Sequence, residues 1–218
     1  MSKKHKFIFI HIPKVAGQSV TNALMPHAAM SWQRFLAPIV PFRYQLKLYT
    51  KVRKYTGLTC SPQPFLDHVK ADEVVHQLGQ DVFQEFFSFA FVRNPWAWAL
   101  SRYTYAVKNP RHTRHTFMKQ FADFDAYIRW HCESDDKFYL QKSYICDSEG
   151  NQLVNFVGKQ EQLRDDFAKV CSNIGIDATL PRFNVSNKSS YHDYYSKETE
   201  QLVSKKYAKD IEFFSYEF

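Results

Sequence analysis

Residues 6–25 read KFIFIHIPKVAGQSVTNALM, an apolar, β-branched run that passes through a proline, a lysine and a glycine into a helical pattern. The segment FIFIHI (7–12) is continuously apolar instead of alternating, which predicts a parallel strand buried on both faces. A helix is expected from Gly17 to about Met25, stopped near Pro26. Between strand and helix, Pro13 stiffens the exit and Gly17 lets backbone approach a ligand closely. The helix N-terminus then presents free N–H groups and partial positive charge to an anion. Lys14 adds a full charge, while Gln18 and Ser19 can donate further hydrogen bonds. A phosphate or sulfate is the natural occupant. In the nucleoside-triphosphate loop GxxxxGK[ST], lysine and a magnesium-binding hydroxyl follow the last glycine. Here the lysine precedes it and no Lys-Ser or Lys-Thr pair stands in that place, so the metal ligand of an ATPase or kinase is missing. A plain strand-to-helix turn is the alternative.

A second corner has the same design. FFSFAFVR (86–93) is expected to be another buried strand, and NPWAWALSRYTYAV (94–107) a helix with Asn94 as N-cap and Pro95 at its first position. Arg93 falls at the strand end and Ser101 about two turns into the helix. The arginine fork suits a phosphate and a serine hydroxyl can reach the same group; an arginine paired with a helix carboxylate and a serine facing solvent is the bland reading. Two strands that feed directly into helices predict an α/β fold, a parallel sheet flanked by helices with its ligand at the strand carboxyl ends. Further helices are expected over 69–79, 116–131, 160–173 and 197–213, with a hairpin turning at Ser148–Asn151.

Composition bounds the function class. At 218 residues, 44% hydrophobic and 17% aromatic, the chain is expected to form one ordered domain over 1–218. A net charge of +7 suits an anionic ligand, be it nucleotide, acidic glycan, nucleic acid or membrane surface. Cys60, Cys132, Cys146 and Cys171 show no CxxC spacing, which argues against structural zinc or a disulfide framework. The opening MSKKHKFIFIHIPK has an apolar run too short for a signal peptide or a membrane span, so a cytoplasmic location is expected. The sequons at Asn184 and Asn187 then carry little weight.

HIPKVAGQS resembles the 5′-phosphosulfate loop of sulfotransferases, usually HIPKTAGTS, in the carbohydrate-type group that includes bacterial members and Golgi enzymes. FVRNPWAWALSRY resembles the family's 3′-phosphate motif, RNP followed by serine at this spacing. The likeness continues through YICDSEGNQLVNFVGKQEQL, LPRFNVSN and YYSKETEQLVSKKYAKDIEFFSYEF. It implies a bacterial member with a P-loop nucleotide-hydrolase-like fold and the donor 3′-phosphoadenosine 5′-phosphosulfate. The product would be adenosine 3′,5′-bisphosphate, the acceptor a hydroxyl, most simply of a carbohydrate, and no metal would be required. By resemblance, Lys14 neutralises the phosphosulfate and the leaving phosphate; Val15, Ala16, Gly17, Gln18 and Ser19 form the loop that holds it; Arg93 and Ser101 grip the 3′-phosphate. Val15 and Gln18 stand where threonines are common, which puts those side-chain contacts in doubt and leaves the backbone contacts intact.

His68, in FLDHVKADEVVHQLG (65–79), resembles the family histidine that accepts the acceptor's proton, with Glu73 as the carboxylate alternative. His11 reads as a structural histidine and His76 as a helix-surface one. Trp96 and Trp98 are expected to pack their helix onto the sheet, or to lie near the adenine. KNPRHTRHT (108–116) reads as a solvated basic loop, or as contact for an acidic acceptor or the donor's phosphates. Residues 31–66 form a variable stretch, a candidate cover over the acceptor. Within it FRYQLKLYTKVRKY (42–55) suits sugar stacking, an anionic membrane surface, or a plain amphipathic helix. Two competing functions stay open: an ATP-dependent kinase on a related fold, and a basic nucleic-acid-binding or scaffold domain retaining a bisphosphate pocket. No specific nucleic-acid partner is expected, and the oligomeric state is not legible.

Overall fold

The computed structural model describes residues 1–28, 68–134, 139–181 and 190–218. The variable stretch, its 42–55 helix, Cys60 and both sequons lie outside the described residues.

Three strands, β1 (Phe7–Ile10), β2 (Phe87–Val92) and β3 (Phe156–Lys159), form a parallel sheet in the order β1-β2-β3. Phe7 pairs with Phe87 and Phe89 with Phe156. Every residue of β1 is buried, as is all of β2 except Phe87, so the unbroken apolar pattern reflects a sheet covered on both faces. Phenylalanines tie the strands together on one face, with the Phe9 and Phe89 rings stacked at 5.2 Å. Gly158 is needed on β3 because a Cβ there would stand 2.5 Å from the Phe91 ring. The first strand ends two residues earlier than FIFIHI suggests; His11 and Ile12 already belong to the exit loop, although Ile12 stays fully buried.

The helices are α1 (Gly17–Ala28), α2 (Ala71–Leu78), α3 (Gln80–Gln84), α4 (Pro95–Lys108), α5 (His115–Met118), α6 (Phe124–Glu133), α7 (Leu163–Asn173), α8 (Lys197–Lys206) and α9 (Ala208–Phe214). Helix α4 starts as its sequence dictates: the Asn94 side chain accepts the Trp96 amide and Pro95 occupies the first turn. Helix α2 closes at Gly79, whose φ is 84°. Four expectations need correction. Helix α1 runs past Pro26, which lies in its last turn, where one missing amide disturbs little. The helix expected over 116–131 is two pieces, because Asp123 accepts the Ala126 amide and caps a new start. The helix expected over 197–213 breaks at Tyr207, which is fully buried with its ring edge-on to Trp98 and its hydroxyl 3.1 Å from His131 Nε2. The hairpin is a single antiparallel bridge, Cys146 with Gln152. Its second arm is drawn away because Asn155 accepts the Ser88 amide at 2.7 Å, which starts β3 alongside β2 instead.

Candidate active site

The carboxyl ends of the three strands converge, and each delivers a polar loop. After β1 the chain enters the loop 11–16. Lys14 and Ala16 both have φ of 64° and Val15 between them does not, the alternation of hand that turns successive amides toward one point. Left-handed backbone at two non-glycine residues is uncommon and concentrates at functional sites. Ala16 receives the first helical bonds from Ser19 and Val20, so α1 begins directly on the loop. The amides of Val15, Ala16, Gly17 and Gln18 have no acceptor among the described residues. The Val15 side chain is fully buried in the core, which leaves only its backbone for a ligand. Gln18 is exposed and Ser19 half-buried.

Gly17 has a packing role beside the backbone approach that its position suggests. Its φ is ordinary, but a Cβ would lie 1.9 Å from His11 Nε2, so the glycine makes room for the His11 ring. That ring also stacks on Phe9 and lies 4.7 Å from the His68 ring. His11 is therefore a spacer between the loop and His68.

Helix α4 is tied to the same loop. Trp98, buried, donates its indole N–H to the Pro13 carbonyl at 2.6 Å. Two turns on, the Tyr105 ring receives Lys14 Nζ at 3.5 Å from its centroid. Residues 98, 101, 102 and 105 share one helical stripe, so Ser101 sits on the face that Trp98 and Tyr105 turn to the loop. The Ser101 and Ser19 hydroxyls have no partner among the described residues. Trp96 is directed elsewhere, its indole donating to the Glu200 carbonyl.

Arg93 follows β2 immediately. Burial disfavours its charged form, offset by Glu161 and Tyr216, and its Nε is buried without a hydrogen-bond partner. Lys14 is pushed down to about 8, first by burial and then by repulsion from Arg93, so the two cations lie near enough to repel each other. Neither forms an ion pair among the described residues. Two desolvated cations that repel each other, beside four free amides and the start of a twelve-residue helix, are arranged for an anion with more than one charged group. The basic loop after α4 belongs to this neighbourhood as well. His112 meets the Tyr105 ring edge-on at 5.5 Å, and burial together with the charges of Lys14, Arg114, Arg102 and His115 lowers its pKa. The reading of 108–116 as simply solvated therefore misses His112.

His68 is exposed, with φ of 61°, and its Nδ1 is 3.0 Å from the His11 carbonyl. A carbonyl only accepts, so this bond puts the proton on Nδ1 and leaves the Nε2 lone pair of the neutral ring available. Glu73 and His76 are exposed on α2.

Sequence reasoning missed the polar frame behind Arg93. Glu161 accepts the Asn94 amide at 2.8 Å and the Tyr216 hydroxyl at 3.1 Å. Gln141 brackets the Arg93 peptide, and Asp210 holds the segment that carries Gln141. A signal existed for Asp210 alone, a carboxylate on the stripe shared by the aromatics Tyr207 and Phe214. Among the described residues, no three His, Cys, Asp or Glu side chains are grouped to hold a metal ion, and no helix is long and apolar enough to cross a membrane.

Fold and site together define an α/β protein with two cation-bearing strand-to-helix corners at the carboxyl edge of a parallel sheet. The chain belongs to the sulfotransferase family, whose model matches residues 1–217, and the family's general chemistry is sulfuryl transfer to a hydroxyl-bearing acceptor. It is also similar to an uncharacterized protein of Archaeoglobus fulgidus, 30% identical over 122 residues, which cover 53% of this chain and 91% of that protein.

Proposed function

We propose that the protein transfers a sulfuryl group from 3′-phosphoadenosine 5′-phosphosulfate to a hydroxyl, on a carbohydrate, using a fold of the P-loop nucleotide-hydrolase type. The observation that carries this reading is the pair of desolvated cations, Lys14 and Arg93, one at each corner, neither in an ion pair among the described residues and close enough to lower the ammonium's pKa. A donor phosphorylated at both ends of its ribose supplies an anion to each. Lys14 with the amides of residues 15–18 would take the 5′-phosphosulfate and stabilise charge gathering on the leaving phosphate. Arg93, assisted by Ser101, would take the 3′-phosphate. His68 would accept the acceptor's proton at Nε2, its ring oriented by the Nδ1 bond to His11. Displacement at sulfur in line with the leaving oxygen needs mainly positioning and charge neutralisation, which these groups supply.

The test is thermal unfolding with adenosine 3′,5′-bisphosphate, ADP or ATP at equal concentration. The bisphosphate should raise the midpoint most, by about 2.7 kcal/mol of stabilisation when present at 100 times its Kd. Lys14→Ala and Arg93→Ala should each abolish the shift. Undiminished stabilisation in both variants would overturn the site assignment.

A further inference from the structure

Resting on the donor reading above, we infer that Gln141 and Asp210 are positioning residues that fix Arg93 for the 3′-phosphate. Arg93 lies one residue beyond the last sheet pair, Val92 with Lys159, so its peptide groups have left the ladder. The Gln141 carboxamide takes over. Its Oε1 accepts the Arg93 amide and its Nε2 donates to the Arg93 carbonyl, both at 2.8 Å. A primary amide is the one side-chain group that matches a peptide's donor and acceptor together. Gln141 is fully buried, and its own amide donates to Asp210 Oδ2 at 2.8 Å while the Lys142 amide donates to Oδ1 at 2.9 Å. Asp210 is likewise fully buried.

This arrangement is costly. Burial pushes the Asp210 carboxyl up to about 6 against the pull of those two amides. Its output is a fixed backbone at Arg93, the point from which the guanidinium projects. No hydrogen bond or ion pair among the described residues holds that guanidinium, and its Nε is an orphan. The orientation of the side chain is thus inherited from its backbone, across 48 residues to Gln141 and 69 more to Asp210.

The experiment measures affinity for adenosine 3′,5′-bisphosphate and for adenosine 5′-monophosphate, which lacks the 3′-phosphate, in the full chain and in Gln141→Met and Asp210→Asn. Both variants should lose about tenfold in bisphosphate affinity, the weight of one to two net hydrogen bonds, with monophosphate affinity held within about twofold. General loosening would lower both affinities together, so the ratio separates positioning from stability. An unchanged ratio in either folded variant overturns the inference. If Gln141→Met does not fold, the isosteric Asp210→Asn decides alone. Arg93→Ala, run alongside, distinguishes the two levels. A ratio unchanged by Arg93→Ala removes the assignment of Arg93 to the 3′-phosphate, and this inference with it. A ratio lost in Arg93→Ala but kept in the other two removes only the positioning role.

Discussion

Lys14 is the residue on which charge and burial compete most directly. Its pKa in the fold is about 8 against an ordinary 10.5, so it binds its proton less tightly folded than unfolded. Its contribution therefore opposes folding in full below pH 8, and that opposition fades as pH rises from about 8 to 10.5. A bound anion acts the other way, favouring the ammonium. Bisphosphate affinity should hold below pH 8 and fall by up to about tenfold per unit above it. Lys14→Arg, whose guanidinium does not deprotonate in this range, should show a flat profile in calorimetric titrations from pH 7 to about 10; an identical decline in that variant would move the titrating group elsewhere. His68 calls for a different readout. His68→Ala should reduce kcat by about 10²–10⁴-fold while bisphosphate affinity stays within about twofold. Retained turnover would pass the role to Glu73.

At the scale of elements, the two corners were legible because strand and helix signals are local. The continuous apolar runs and the Asn94-Pro95 start act within a few residues of themselves. What escaped was decided at longer range. Asn155 reaches Ser88 across 67 positions and converts an apparent hairpin arm into a parallel strand. Gly17 shows a related limit: nothing in the sequence signals that the space of its missing Cβ is taken by His11, from the exit loop of β1. The loop, His11 and His68 consequently behave as one packed unit. Gly17→Ala should destabilise by about 1–3 kcal/mol through overpacking, and His11→Ala should relieve much of that penalty in the double variant. Urea unfolding of the four proteins in the cycle measures the coupling; additive effects would mean that the two side chains do not compete for that space.

For the molecule as a whole, an excess of seven positive charges suits an anionic partner without locating its site. The location proposed above rests on the way distant segments meet at the sheet's carboxyl edge: residues 11–18, 93–105, 141 and 161 from four parts of the chain, braced by Asp210 from a fifth. Polar residues that brace a site in this way follow no periodicity. Gln141 and Glu161 look like any surface glutamine and glutamate in the sequence, and only the fold shows one fully buried and the other capped by Tyr216. One of these junctions also gives the protein a built-in optical probe. The Trp98 indole joins Pro13 at the lip of the proposed anion site and has the Arg102 guanidinium 5.0 Å from its ring. Filling the site with phosphate changes the electric field across that chromophore. Adenosine 3′,5′-bisphosphate should therefore alter the intrinsic emission spectrum, and Trp98→Phe should erase the change. Superimposable spectra with and without saturating nucleotide would mean that the indole is insulated from the bound charge.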